Sequence, residues 1–126
     1  AELRKAGFEI AYPTRRASHA FIVTLKDLKD KTGVTAMNLA KRLLDKGYHA
    51  PTTYFPLLVP ECLLIEPAET ESKETLDAFV RSMKEILQEI ETQPDMIKGA
   101  PHTMPVRKLD DVKAARELDL AWSPPS

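Results

Sequence analysis

Two short segments pair a histidine with prolines and small hydroxyl side chains: His49-Ala50-Pro51-Thr52-Thr53 and Ala100-Pro101-His102-Thr103. Both lie in proline-rich stretches. Four of the ten prolines fall between residues 51 and 67, and three more between 94 and 105. Proline fixes φ and restricts the residue before it, so both stretches are expected to form stiff, extended loops. A rigid loop carrying a histidine and hydroxyls is how a domain presents polar groups to a cleft. The alternative is that the prolines only make turns and the histidines sit on the surface.

The commoner chemical templates are missing. Gly7, Gly33, Gly47 and Gly99 stand singly, so there is no glycine-rich loop to cradle a phosphate. His19, His49 and His102 are far apart and lack the spacing of paired metal ligands. Cys62 opens the apolar run Cys62-Leu63-Leu64-Ile65, where a thiolate is disfavoured; it reads as a core residue rather than a nucleophile. Glu66, Glu69 and Glu71 precede an expected helix, whose N-terminal dipole they complement without any need for acid–base chemistry. No self-contained catalytic site and no metal site emerges from the pattern.

The secondary structure around these segments is clearer. Ala1-Glu2-Leu3-Arg4-Lys5-Ala6-Gly7 reads as the last turns of a helix stopped by Gly7. Such a start is expected of a fragment cut from a longer protein, or of a trimmed terminus. Phe8, Ile10 and Tyr12 alternate with polar or small residues before Pro13, the pattern of a short edge strand. His19 to Leu25 is aromatic and β-branched, the strongest strand signal in the chain, and Cys62–Ile65 is a second buried strand. Ala36, Leu39, Ala40, Leu43 and Leu44 form a helical stripe, with Thr35 as N-cap and Gly47 as stop. Leu76, Phe79, Val80, Met83, Leu87 and Ile90 predict the longest helix, starting near Ser72. A last short helix is expected over Asp110–Leu118, with Val112 and Ala115 facing inward. Strands alternating with helices suggest an α/β (α+β) two-layer sandwich.

The chain has 126 residues, 43% of them hydrophobic and 29% charged, the balance of one small globular domain. Its net charge of −1 argues against a nucleic-acid binder driven by phosphate neutralisation. No apolar run is long enough to span a bilayer. A single cysteine fits a reduced, cytoplasmic setting. Net charge is +5 over residues 1–50, −7 over 51–95 and +1 over 96–126. That contrast either steers a partner or reflects one acidic helix and two basic solvated faces.

The two proline-rich loops also carry a family resemblance. Lys41-Arg42-Leu43-Leu44-Asp45-Lys46-Gly47-Tyr48-His49-Ala50-Pro51-Thr52, then Tyr54-Phe55-Pro56, then Ile65-Glu66-Pro67-Ala68-Glu69-Thr70-Glu71-Ser72-Lys73, resembles the glycine decarboxylase P-protein family. Ala100-Pro101-His102-Thr103 and Pro105-Val106-Arg107 extend the match, which runs from about Gly7 to Trp122. Tyr54-Phe55-Pro56-Leu57 looks more like the second subunit of the two-chain form than the single-chain form. One departure is that the family's His-Glu-Phe reads His19-Ala20-Phe21 here, which leaves the role of position 20 open.

The resemblance implies a glycine dehydrogenase (decarboxylating) of the glycine cleavage system, with pyridoxal phosphate as electron sink. It implies that glycine loses carbon dioxide and that its aminomethyl group passes to the lipoylated H-protein. In the family the cofactor is held by a lysine in a His-Lys-Thr setting of a large domain. This chain has no such triplet; Lys31-Thr32 is expected in a loop between Asp30 and Gly33. Residues 1–126 are therefore expected to be the C-terminal small domain of a fold-type I pyridoxal-phosphate enzyme. The expected partners are the cofactor-binding large domain of the same chain, subunit 1 of the P-protein, the H-protein and glycine, with neither nucleic acid nor membrane. By position in the matched motifs, His49, Thr52 and His102 are candidates for the cleft wall. Arg107 and Arg16 are candidates for binding an anion such as the substrate carboxylate. The plainer alternatives are that the histidines brace their loops and that Arg107 caps a helix. A different class also fits: a stand-alone α/β module that senses an amino acid or binds a protein without catalysis.

Overall fold

The computed structural model describes residues 1–122. Along them run α1 (Glu2–Lys5), β1 (Glu9–Ile10), β2 (Phe21–Thr24), α2 (Lys26–Thr32) and α3 (Ala36–Asp45), followed by β3 (Thr52–Thr53) and β4 (Cys62–Ile65). α4 (Lys73–Thr92), α5 (Pro94–Lys98) and α6 (Asp111–Arg116) complete the order. The strands form one antiparallel sheet in the order β1-β2-β4-β3. Its register sets Val23 opposite Leu63 and Phe21 opposite Ile65. Directly opposed residues share a face, so these four and Ile10 point together into the core. Leu39 and Leu43 of α3, Met83, Ile86 and Ile90 of α4, and Ile97 of α5 cover them. The result is the two-layer α/β sandwich expected, with helices on one face of the sheet.

Local chemistry accounts for the helix ends. The Thr35 hydroxyl accepts from the Asn38 amide while the Asn38 side chain accepts from the Thr35 amide, a reciprocal N-terminal cap on α3. The Ser72 hydroxyl accepts from the Thr75 amide at the start of α4. Gly7 ends α1 with φ +105, and a Cβ there would lie 3.1 Å from Leu87 Cδ2, so both backbone and packing call for glycine.

Several expectations need correction. Lys31-Thr32 is the end of α2, not a loop: Leu28 turns its side chain towards the core and Gly33 terminates the helix in a left-handed conformation. One inward residue was too sparse a period to signal it. The 51–67 stretch is not wholly loop, because Thr52–Thr53 adds an edge strand to β4; an edge tolerates the preceding Pro51, which has no N–H to give. The 94–105 stretch begins as α5, with Pro94 at its first position, where a missing N–H costs nothing. The first strand covers only Glu9–Ile10, since Tyr12 takes φ +57. His19 and Ala20 precede β2, and Leu25 already begins α2. Val112 and Ala115 do not face inward: α6 exists, capped by Asp110, but it buries no residue. Leu76 is exposed, while Ile86, absent from the expected stripe, is fully buried.

The outer face of the sheet is covered at one end only. Tyr54 to Pro60 folds over it, burying Cys62 and Val59; the Thr24 hydroxyl donates to the Pro60 carbonyl at 2.9 Å. Ile22 and Leu64, further along the same face, stay half-buried and Thr52 is exposed. This burial pattern sets the stability map. Ile86→Ala is expected to cost about 2–5 kcal/mol, whereas Val112→Ser should stay within about 0.5 kcal/mol. Denaturant midpoints measured on both variants check the contrast; equal losses would place α6 in the core.

Candidate functional site

Strand direction gathers the predicted site residues. β1 leaves the sheet beside Ile22, β2 enters at Phe21, β4 leaves at Ile65, and β3 enters opposite Leu64. The loops 11–20, 46–51 and 66–72 therefore meet at the Phe21–Ile65 end. The 100–103 loop joins them through Asp45, the last residue of α3. Asp45 Oδ1 accepts from the His102 amide at 2.7 Å, the Thr103 amide at 2.7 Å and the Thr103 hydroxyl at 2.9 Å. His49 follows Asp45 by four residues, so both histidine loops are held at the same end of α3.

The anchor is part of an ionic chain. Arg42 Nη1 donates to Asp45 Oδ2 at 3.1 Å, and its Nε and Nη2 grip both oxygens of Glu89 on α4 at 2.8 and 2.9 Å. Lys46 reaches Glu85 at 2.9 Å and Glu89 at 3.3 Å. The Asp45 side chain is 1% exposed. Burial alone would push its carboxyl up. The Thr103 and His102 amides, the Thr103 hydroxyl and Arg42 outweigh that and hold it below the usual aspartate range. Glu89 is likewise held down, first by Arg42 and then by Lys46, against burial.

The candidates end in different situations. His102 is half-buried, and its Nε2 lies 2.7 Å from the Met96 carbonyl oxygen of α5. His49 and Thr52 are exposed, Thr52 on the open outer face of the sheet. Arg16 and Arg107 are exposed and make no ion pair among the described residues. It is Arg15, not Arg16, that approaches an aromatic ring, lying 6.0 Å from the centre of Tyr12. Tyr12, at a strained φ of +57, is exposed and turns back beside Thr24 and Pro60, away from the candidates. Ala20 is half-buried just ahead of β2. The geometry thus draws His49, Thr52, His102 and Arg16 to one end without bonding them to one another; Arg107 lies five residues beyond His102.

Two open grooves, of about 360 and 550 Å³, lie instead at the opposite, Thr24–Cys62 end. The larger runs between Phe8, Leu28 and Leu87 with Lys31 and Lys84 at its rim, and it touches none of the candidates. Cys62 is buried with its thiol pushed up by burial, as its apolar strand required. No group of three or more metal-ligating side chains converges among the described residues. No helix among them is long and apolar enough to cross a membrane.

Asp45, Arg42 and Glu89 were not expected as site residues. One signal pointed to Asp45: a carboxylate in the last turn of a helix opposes the helix dipole, so it needs some other partner. A carboxyl held low in the folded state contributes stability above its unfolded value of about 4 and loses it as pH falls through the folded value. Asp45→Asn is accordingly expected to cost about 1–3 kcal/mol at neutral pH. The gap between variant and parent should narrow from about pH 5 downwards, as read from denaturant unfolding at each pH. A gap that stays constant with pH would show that the ionised carboxylate is not the anchor.

Residues 1–104 match the family model described as "Glycine dehydrogenase, C-terminal domain". The boundary falls where burial ends, just after Ala100 and Pro101. Across all 126 residues the chain is 87% identical to a protein of Nitrosospira multiformis, covering 25% of it. It is 84% identical over 124 residues to one of Nitrosomonas europaea and 77% over 124 residues to one of Thiobacillus denitrificans, covering 98% of this chain and 26% of each relative. All three are described as a probable glycine dehydrogenase (decarboxylating) subunit 2. The chain spans about a quarter of the length of these relatives. With the matched motifs carried on the loops at one end of a helix-backed antiparallel sheet, the chain belongs to the glycine dehydrogenase C-terminal domain family.

Proposed function

We propose that this chain is one domain of a glycine decarboxylase of the glycine cleavage system, and that its Phe21–Ile65 end forms part of the wall of the active-site cleft. The observation that carries the reading is the identity of 87% over the whole chain to a glycine dehydrogenase subunit 2. The intact protein would decarboxylate glycine in the cytoplasm and pass the aminomethyl group to a lipoylated H-protein, alongside a companion subunit 1.

Pyridoxal phosphate supplies the electron sink in that reaction. The residues of this chain do not fit its cradle. Lys31-Thr32 lies at the far end of the sheet, and Lys46, the lysine beside the histidine loops, is already paired with Glu85 and Glu89. Cofactor attachment is assigned to the large domain of the same chain. This domain contributes a wall: exposed His49 and Thr52, the anchored His102 loop, and the guanidinium groups of Arg16 and Arg107, which have no ion pair among the described residues, for a carboxylate.

The apolar surface favours a domain that works against another body rather than a stand-alone module. Phe55, Leu57 and Leu58 at one end, and Leu118, Leu120 and Trp122 beyond α6, are exposed, Leu57 by 89% and Leu120 by 88%. Ile22 and Leu64 on the open sheet face extend that surface.

The test is glycine–bicarbonate exchange by the full-length chain with its companion subunit. The intact assembly should exchange and residues 1–126 alone should not. Within the assembly, His49→Ala should lower exchange by at least about tenfold, a loss of roughly 1.4 kcal/mol, with an unchanged melting temperature. Absence of exchange by the intact assembly overturns the functional reading; full activity of His49→Ala overturns only the placement of His49.

A further inference from the structure

His102 is the candidate whose two ring nitrogens have been given different roles. A carbonyl oxygen only accepts, so the 2.7 Å contact with Met96 requires Nε2 to carry the proton. In the neutral ring Nδ1 is then an unprotonated acceptor. Nδ1 has no hydrogen-bond partner among the described residues. Nor is any side-chain nitrogen or oxygen among them both buried and unpartnered. Nδ1 therefore reaches the surface.

The N–H and O–H donors of the loop are used internally. The His102 and Thr103 amides and the Thr103 hydroxyl all donate to Asp45. The backbone of His102 is thus tied to α3 and its ring to α5, two anchors on different helices. One side-chain atom is left to offer outward.

Resting on the reading of this end as a cleft wall, we propose that His102 meets its ligand through Nδ1, as the acceptor for an N–H or O–H donor on the substrate side of the cleft. Asp45 and the Met96 carbonyl are the positioning groups that aim it. The ionic chain Arg42–Glu89 sets Asp45 in turn, so the orientation of one imidazole depends on α3, α4 and α5 together.

Two substitutions separate the roles of the nitrogens. An asparagine amide reaches the position of Nδ1, and a glutamine amide reaches that of Nε2. In the full-length chain with its companion subunit, exchange and thermal unfolding are measured in parallel. His102→Gln is expected to keep the parent's melting temperature and lose exchange at least about tenfold, while His102→Asn melts lower yet keeps exchange within about threefold. Asp45→Asn is expected to speed hydrogen exchange at the His102 and Thr103 amides, not at those of Val23 and Leu63, and to lower kcat with KM for glycine little changed. The Nδ1 assignment is overturned if His102→Gln keeps its activity, if His102→Asn loses as much as His102→Gln, or if neither variant changes exchange. Loosened amides with an unchanged kcat in Asp45→Asn remove Asp45 from the positioning role. If the unsubstituted assembly shows no exchange, the functional reading itself fails, and the proposal falls with it.

Discussion

The carboxylate of Asp45 sits where a helix least favours one. The last turn of α3 presents the negative end of its dipole, and burial adds a further cost to the charge. Both penalties are offset by three donors on one oxygen and a guanidinium on the other. This balance joins the helix layer to the 100–103 loop and so decides where the His102 ring can lie. Without it the half-buried His102 amide would need another acceptor, and none of the neighbouring apolar side chains can supply one.

Much of the fold was legible because two periodicities are clean. The stripe of α3 and the run Cys62–Ile65 each lie within a residue of their expected bounds, as do the caps at Thr35 and Ser72. Where elements were missed, they were short. A helix such as α2 turns one residue, Leu28, inward and offers no period to read. β3 has two residues, both threonine, and exists only because β4 provides a ladder beside it. Pro94 illustrates a local ambiguity: the same fixed φ that suits an extended loop also suits the first turn of a helix. α6 shows the opposite failure. Its spacing suggested an inward face, but Val112 and Ala115 both stay exposed.

The candidate residues were legible as types on loops, and their gathering at one sheet end follows from strand order. What sequence could not convey was which polar atoms the fold would use up. His49 and His102 sit in matching proline-rich contexts, yet one ring is exposed and the other is bound to a helix carbonyl. That difference comes from Met96, six residues before His102, and from Asp45, 57 residues before it. Contacts at such separation leave no periodic trace. The grooves at the opposite end make the same point: concavity alone would have led away from the histidine loops.

The ionic chain also explains why this corner of the domain is not apolar. A buried ion pair is often no more stabilising than well-packed hydrocarbon. Stability by itself would therefore permit methionine or leucine at Arg42 and Glu89. The two loop amides remove that freedom, because they need an acceptor at the end of α3 whatever else is there. An asparagine at position 45 could accept them, but its own amide would then face the Arg42 guanidinium, donor against donor. Aspartate satisfies both sides, Arg42 satisfies aspartate, and Glu89 with Lys46 balances the remaining charge. The three acidic and basic positions on α3 and α4 are thus chosen together, and the requirement that couples them originates in two backbone N–H groups of a loop.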